Sequence, residues 1–370
     1  MKNLKILRKK IDSADKKLIR LLEERLSIAQ KIAQAKHSLN LPLTNSLREK
    51  EIINRLKQLT SNLLLRDYIP IIFKTLFKIS KDLRIIRNNS LFPFKTVGII
   101  GLGLVGGSIA KTIKLKNKYI RIYSIKSPCS NHQQALSENI VDQEFDTIVE
   151  LVKNSQLVVI AAPITTVSSI AKKISRIEKL KQKLLVIDVA SVKKDIKEQF
   201  EKLTTSGVEF LATHPMSGSE KEGFSASSST LFAGNPWIIT PHKKNSKISI
   251  QKINQCIRFL GSSPKIISAN QHDSLIVPIS HLVFLISTYF FAFVYEKKRP
   301  TIDLAGDGFK SITRLAGGNE KMHSKIFNEN SRNIQSELIE FIKFINTHQL
   351  NKHTSLKFFQ RYKEKRDQII

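Results

Sequence analysis

The chain has 370 residues, with 61 Lys and Arg against 31 Asp and Glu and a formal net charge of +30. That length holds two or three domains with substantial cores, and 41% hydrophobic against 25% charged residues excludes disorder as the main state. Two cysteines, Cys129 and Cys256, build neither a disulfide framework nor a metal-ligand spacing, so no metal and a reducing, cytoplasmic setting are expected. The charged N-terminus forms no signal-peptide core, which fits the same setting.

In chain order, Leu4, Leu7, Ile11, Ala14, Leu18, Leu21, Leu22, Ile28, Ala29, Ile32 and Ala35 recur at three- and four-residue steps without an intervening Pro or Gly. They predict one amphipathic helix of about 35 residues, roughly 50 Å long at about 1.5 Å per residue, ended by Pro42. A second helix runs from about Ser46 to Leu59, with Ser46 and Glu49 in the capping-box relation. A third spans about Leu64 to Arg87, with Pro70 in its first turns. The long helix cannot bury its stripe against two shorter ones, so it needs a partner, most simply a second copy of itself.

Asn88-Asn89-Ser90 and Pro93 read as a linker. Beyond it, Thr96–Ile100, Ile120–Ile125, Leu157–Ala161, Leu184–Val189 and Phe210–Ala212 are short buried runs separated by helical patterns. They predict a doubly wound α/β domain with a parallel sheet. After about Ser268 the strand signals cease and helical patterns continue. The predicted division is a helical domain at 1–90, a Rossmann dinucleotide-binding domain at 95–267 and a helical substrate and dimerisation domain at 268–370. Within the last, Ser274–Tyr295 carries no Asp, Glu, Lys or Arg and is long enough to span a bilayer. Pro278, His281 and several hydroxyl residues interrupt it, so it reads as a helix buried in a core or dimer interface, and no membrane partner is expected.

Gly101-x-Gly103-x-x-Gly106 follows a strand and opens a helix, the context that marks a dinucleotide turn. The first glycine makes the turn, the second admits a pyrophosphate, and the third packs helix on strand. An NAD site usually shows an acid at the end of the second strand. Here Ser124, Lys126 and Ser127 stand there instead and could hold a ribose 2′-phosphate, so NAD+ and NADP+ both stay open. The strand ending Ala161-Ala162-Pro163 puts small residues, Pro163 among them, beside the cofactor. Asp188-Val189-Ala190-Ser191-Val192-Lys193 and Thr213-His214-Pro215-Met216-Ser217-Gly218-Ser219 follow other strands, where ligands sit in such sheets. His214 is placed in a short polar loop as a candidate catalytic residue. The positive charge is spread along the chain without an arginine-rich arm, zinc-finger spacing or aromatic stripe, so nucleic acid is not expected. Anionic small substrates benefit from the same field.

These motifs, with His272-Asp273, Ser280-His281-Leu282 and Gly306-Asp-Gly-Phe-Lys-Ser-Ile-Thr-Arg314 in the same order, resemble the prephenate/arogenate dehydrogenase family over residues 96–330. The resemblance implies that His214 accepts the proton of the substrate's ring hydroxyl while hydride leaves for the nicotinamide. It further implies that Ser191 orients His214, that Arg314 clamps a substrate carboxylate, and that His281 and Ser219 line the substrate pocket. Val283-Phe284 stand where the family often shows Pro-His, which removes a polar group near the substrate's tail and leaves prephenate against arogenate open.

Residues 1–90 resemble the all-helical chorismate mutase domain. On the matching positions the resemblance implies that Arg8, Arg25 and Arg48 bind carboxylates, Lys36 reaches the ether oxygen and Glu49 takes a ring hydroxyl. Ser80 matches, while Arg84 falls near a Gln or Glu position and Asn45 stands for the usual Asp. Such a rearrangement needs a held conformer and positive charge at the ether oxygen, not an acid or base. Arg8 and Lys36 lie about 42 Å apart along one helix, so a shared site takes Arg8 from a second protomer. Together the resemblances imply a homodimeric, bifunctional enzyme of tyrosine biosynthesis. It would convert chorismate to prephenate and then, with NAD(P)+, prephenate to 4-hydroxyphenylpyruvate and CO2. The alternatives are a dehydrogenase whose helical segment only dimerises and, more remotely, a basic DNA-associated redox sensor.

Overall fold

The computed structural model describes residues 2–38, 46–86, 91–126, 130–178, 180, 182–219, 221–349 and 354–369. Three helices come first, α1 (Lys2–Ser38), α2 (Ser46–Gln58) and α3 (Leu63–Ile86). α1 is one continuous helix of 37 residues, as the absence of Gly and Pro dictates, and α3 packs against both others. Pro70 lies inside α3, where its missing N–H leaves the Arg66 carbonyl outside the helical ladder. Ile69, Leu76 and Phe77 are buried, yet Leu7, Ile11, Leu18, Leu21, Ile28 and Ile32 of α1 stay half exposed or more. Two short helices do not cover that stripe.

The second unit alternates strands and helices: β1 (Thr96–Ile100), α4 (Leu104–Lys116), β2 (Arg121–Ile125), α5 (Ser130–Ser137), β3 (Gln143–Phe145), α6 (Ile148–Asn154), β4 (Leu157–Ile160), α7 (Ile164–Ser175), β5 (Leu184–Asp188), α8 (Lys194–Leu203), β6 (Val208–Pro215), β7 (Pro236–Thr240), α9 (Lys247–Phe259) and β8 (Ser263–Ile266). The strands form one sheet in the order β3-β2-β1-β4-β5-β6-β7-β8. Hydrophobic side chains of α4, α5 and α9 pack on one face, and those of α6, α7 and α8 on the other. β3 through β6 are parallel, as expected. β7 departs from expectation by running antiparallel to β6, and β8 is parallel to β7. Because β7 pairs along its end, β6 extends beyond Phe210–Ala212 and takes in His214, opposite Ile238. The histidine expected in a loop is thus held inside a strand. β3, β7 and β8 escaped the sequence reading because β3 is short and polar, β7 opens on Pro236, and β8 reads Ser-Pro-Lys-Ile.

The third unit is helical: α10 (Ala269–Leu275), a π-helical turn (Val277–His281), α11 (Leu282–Lys297), α12 (Asp307–Thr313), α13 (Glu320–Glu329), α14 (Ser331–Thr347) and α15 (Ser355–Ile369). Its core of Val277, Leu282 and Ile334 is small. The run read as a buried helix is not buried within one chain, since Tyr289, Phe290, Phe291, Phe293 and Tyr295 are exposed. By length and composition the helical stretch Ala269–Lys297 also passes for a membrane span, with only 28% of its most apolar window buried.

Candidate active site

The glycine turn is built as its spacing requires. Gly101 has φ 104°, and a Cβ there would strike the Ala161 backbone at the end of β4. A Cβ on Gly106 would strike the Gly101 carbonyl, whereas the same position on Gly103 opens on space. Gly103 is the N-cap of α4 and no side chain caps it, so the first amides of the helix are left for an anion. Pro163 stands exposed at the N-cap of α7. This cradle fits a dinucleotide pyrophosphate. At the ribose end the expectation changes: Ser124 is fully buried and its hydroxyl donates to Glu144 Oε1 at 3.2 Å. Lys126 is exposed and pairs with Asp146. Ser127 and Cys129 lie outside the described residues.

Around His214 the structure assembles a directed chain of hydrogen bonds. His214 Nδ1 lies 2.9 Å from His272 Nε2, and His272 Nδ1 lies 2.7 Å from Asp273 Oδ1. The two Asp273 oxygens also accept the backbone N–H groups of Lys193 and Lys194, each at 2.8 Å, so this side chain of α10 caps the start of α8. A carboxylate can only accept, so the proton of His272 sits on Nδ1 and its Nε2 must accept from His214 Nδ1–H. The lone pair of His214 Nε2 is left for a ligand. Burial, reinforced by His272, Lys193 and His281, holds His214 well below the ordinary histidine range, so this imidazole is neutral.

Thr213 anchors His214 from the preceding position. Its N–H donates to Asp188 Oδ1 at 3.0 Å and its hydroxyl to the Asp188 carbonyl at 2.5 Å. Asp188 pairs in turn with Lys193, both fully buried, and Lys193 Nζ donates to the Thr213 carbonyl at 2.8 Å. Burial lowers the Lys193 ammonium and Asp188 opposes the shift. One buried ion pair therefore ties the end of β5, the start of α8 and the strand carrying His214.

His281 closes the π-helical turn at 4% exposure. Asn330 Nδ2 donates to the Asp273 carbonyl at 2.6 Å and lies 3.3 Å from His281 Nδ1, while Asn330 Oδ1 accepts from Asn333. That orientation leaves the His281 proton on Nε2, which is buried without a partner, and burial lowers this imidazole to about 4. Ser217 Oγ is likewise buried and unpartnered. Ser191 is half-buried between β5 and α8. Ser219 is exposed and accepts the Lys221 N–H in a local turn. Arg314, exposed after α12, is positioned through Ser287 of α11, which bonds Ile312 O and Ala316 N on either side of it. The sequence reading assigned no role to His272, Asp273, Asn330 or Ser217. A His-Asp pair in the middle of a polar helix was the available signal.

In the helical unit, Arg25 donates to Ser80 Oγ at 3.2 Å and lies over the rings of Phe73 and Phe77. Glu49 pairs with Lys81 at 2.8 Å, a cation the sequence reading did not single out. The structure thus gathers Arg25, Glu49 and Ser80 along one stretch of α3. Arg48 is exposed and pairs with Glu51, and Arg8 lies exposed toward the other end of α1. Lys36 and Arg84 fall on α1 and α3, with side chains outside the described residues, and Asn45 lies outside them altogether.

Two outcomes follow from these buried charges. Lys193→Met leaves Asp188 buried and unpaired and lowers stability by about 3–5 kcal/mol, read from denaturant unfolding followed by the fluorescence of Trp237, which is buried in the sheet. Histidines held below their unfolded value stabilise fully above about pH 6.5 and lose that contribution as pH falls. His281 alone, at about 4, removes about 2 kcal/mol between pH 8 and pH 5. An unchanged unfolding midpoint over that range contradicts neutral burial.

Three family models match the chain in sequence. They are chorismate mutase type II at residues 7–85, the prephenate dehydrogenase nucleotide-binding domain at 109–263 and the prephenate dehydrogenase dimerization domain at 268–361. A prephenate dehydrogenase of Lactococcus lactis is 30% identical over 67% of this chain and 68% of its own length. A chorismate mutase of Methanocaldococcus jannaschii is 37% identical over 21% of this chain and 80% of its own length. The crystal structure of Aquifex aeolicus prephenate dehydrogenase, with hydroxyphenyl propionate and NAD+, superposes with a TM-score of 0.67 at 27% identity, covering 75% of this chain and 98% of that one. The chain belongs to the prephenate dehydrogenase family and carries a chorismate mutase domain ahead of its nucleotide-binding and dimerization domains, the arrangement of a bifunctional enzyme of tyrosine biosynthesis.

Proposed function

We propose that one chain performs two consecutive steps, chorismate to prephenate in residues 1–90 and oxidative decarboxylation of prephenate to 4-hydroxyphenylpyruvate in residues 95–267 and 268–370. The observation that carries the second step is the hydrogen-bond chain from Asp273 through His272, which leaves His214 Nε2 unprotonated and facing outward from the relay. His214 accepts the ring hydroxyl's proton as the ring carbon gives up hydride and becomes a carbonyl carbon. The imidazolium so formed is stabilised by the neutral His272 and the Asp273 charge behind it. Loss of the ring carboxylate as CO2 returns its electron pair to the ring, and the phenolic oxygen takes the proton back. A nicotinamide dinucleotide, held at the turn from Gly101 to Gly106, supplies the hydride acceptor.

Arg314 holds a substrate carboxylate, and the buried N–H of His281 with the Ser217 hydroxyl supports the reading of a polar pocket that a ligand completes. Ser191, between β5 and α8, lies on the nicotinamide side, and Ser219 lies on the substrate side. In the mutase unit, Arg8, Arg25 and Arg48 bind carboxylates, Lys36 meets the ether oxygen, Glu49 takes the ring hydroxyl, and Ser80 with Arg84 completes the site. The exposed stripe of α1 and the exposed aromatics of α11 are covered in a homodimer, and the enzyme works in the cytoplasm.

Two experiments test the pair of activities. His214→Asn keeps size and polarity but accepts no proton, so dehydrogenase turnover falls about 10²–10⁴-fold while chorismate turnover is unchanged. A near-normal dehydrogenase rate in that variant refutes the base assignment. For the mutase, Arg8→Ala and Lys36→Ala each remove most activity. Mixing the two under subunit exchange restores up to about a quarter of it, because about half the dimers are mixed and each of those has one intact site of two. No recovery, with exchange shown independently, excludes a site shared between protomers.

A further inference from the structure

At the ribose end of the nucleotide turn, β2 closes on Lys126 where a carboxylate usually accepts the ribose hydroxyls. Taken alone, that lysine favours the 2′-phosphate of NADP+. The fold sets it in a different electrostatic setting. β3, the edge strand, lies beside β2 with Ser124 in register with Glu144. The Ser124 hydroxyl, fully buried, donates to Glu144 and so holds that carboxylate against β2. One residue past the end of β3, Asp146 pairs with Lys126 at 2.9 Å. Glu150, in the first turn of α6, adds a third acid acting on the same ammonium. Asp146 with Glu144 and Glu150 raises the Lys126 value above that of a free lysine.

NAD+ and NADP+ differ only in the 2′-phosphate, which carries roughly −1.5 to −2 charges near neutral pH. Here Lys126 is already paired with Asp146, and Glu144 and Glu150 act on the same ammonium, so a dianion entering this corner finds that cation occupied. A ribose 2′-hydroxyl is neutral and can donate to a carboxylate. We infer that Asp146 and Glu144, carried on and just beyond the edge strand β3, are the cofactor-selecting residues of this enzyme: they stand in for the missing acid of β2, occupy Lys126, and favour NAD+ over NADP+. This rests on the reading that the turn from Gly101 to Gly106 holds a nicotinamide dinucleotide.

The test is equilibrium binding of NADH and NADPH to the full chain, followed by nucleotide fluorescence. The wild-type protein is expected to bind NADH at least tenfold more tightly. The double variant Glu144→Gln, Asp146→Asn releases Lys126 without changing side-chain size. It is expected to tighten NADPH binding tenfold or more while NADH weakens a few-fold. Adding Lys126→Ala to that variant removes the NADPH gain, which ties the effect to the freed ammonium; the unfolding midpoint followed by Trp237, buried in the same sheet, reports an intact fold in each variant. Equal affinities in the wild type, preference for NADPH, or a double variant with an unaltered ratio each overturns the inference while leaving dinucleotide binding in place. Failure of the wild type to bind either nucleotide, with that unfolding transition intact, overturns the dinucleotide reading and this inference with it.

Discussion

Asp273 receives backbone N–H groups from Lys193 and Lys194 and a ring N–H from His272, and because an ionised carboxylate has no proton to give, every donor in the chain behind it must point the same way. His272 is forced into the Nδ1–H tautomer, and through it His214 into the same one. The protonation state of the proposed base is thus set two residues away from it, by a side chain that also caps a helix. The carboxylate comes from α10 in the C-terminal helical unit, its backbone donors from the start of α8, and the base from β6. The base is therefore defined only when the helical unit is seated against the sheet, so local loosening of α10 would remove its orientation without disturbing a strand.

The Asp188–Lys193 pair serves the same end by a different means. Burying both charges is costly, and a pair of well-packed apolar residues of the same volume would serve stability as well or better. What the ion pair supplies is direction: Asp188 Oδ1 accepts the Thr213 N–H and Lys193 Nζ donates to the Thr213 carbonyl, so the strand is fixed at the residue before His214. Three histidines held neutral by burial within one site make the opposite demand of the surroundings, since each must be kept from acquiring a proton as the medium acidifies. A single constellation thus combines a buried charged pair on one side with rings that rest neutral on the other.

Much of this was legible in the residues. The 3.6-residue period of α1 and the strand–glycine–helix context at Gly101 fixed their elements because local sequence alone decides them. The helical run after Ser268 was equally plain, but the choice between a core and a dimer interface stayed open, since hydrophobicity says that a face must be covered and not by which chain. β7 was missed for a related reason. Its antiparallel pairing with β6 is a long-range event that lengthens β6 and draws His214 out of a loop, and nothing adjacent to His214 announces it. Ser124 looked like a phosphate ligand because position along a strand does not reveal which face is inside, and the partner that buries its hydroxyl, Glu144, lies on a three-residue strand. His272 and Asp273 were visible as residues but not as a relay, which exists only once α10 meets β6.

The uncovered stripe of α1 and the aromatic face of α11 have a geometric consequence when both occur in one polypeptide. A face that pairs with its own copy does so about a twofold axis. If the two axes coincide, both faces are satisfied by the same neighbour and assembly closes at two chains. If they do not, each molecule binds one neighbour through α1 and a different one through α11, and the association propagates as an open string. If both faces pair with their own copies, the path between the two domains is constrained as well, since a change in the connection that leaves every side chain of the proposed sites in place could still convert a closed pair into a polymer.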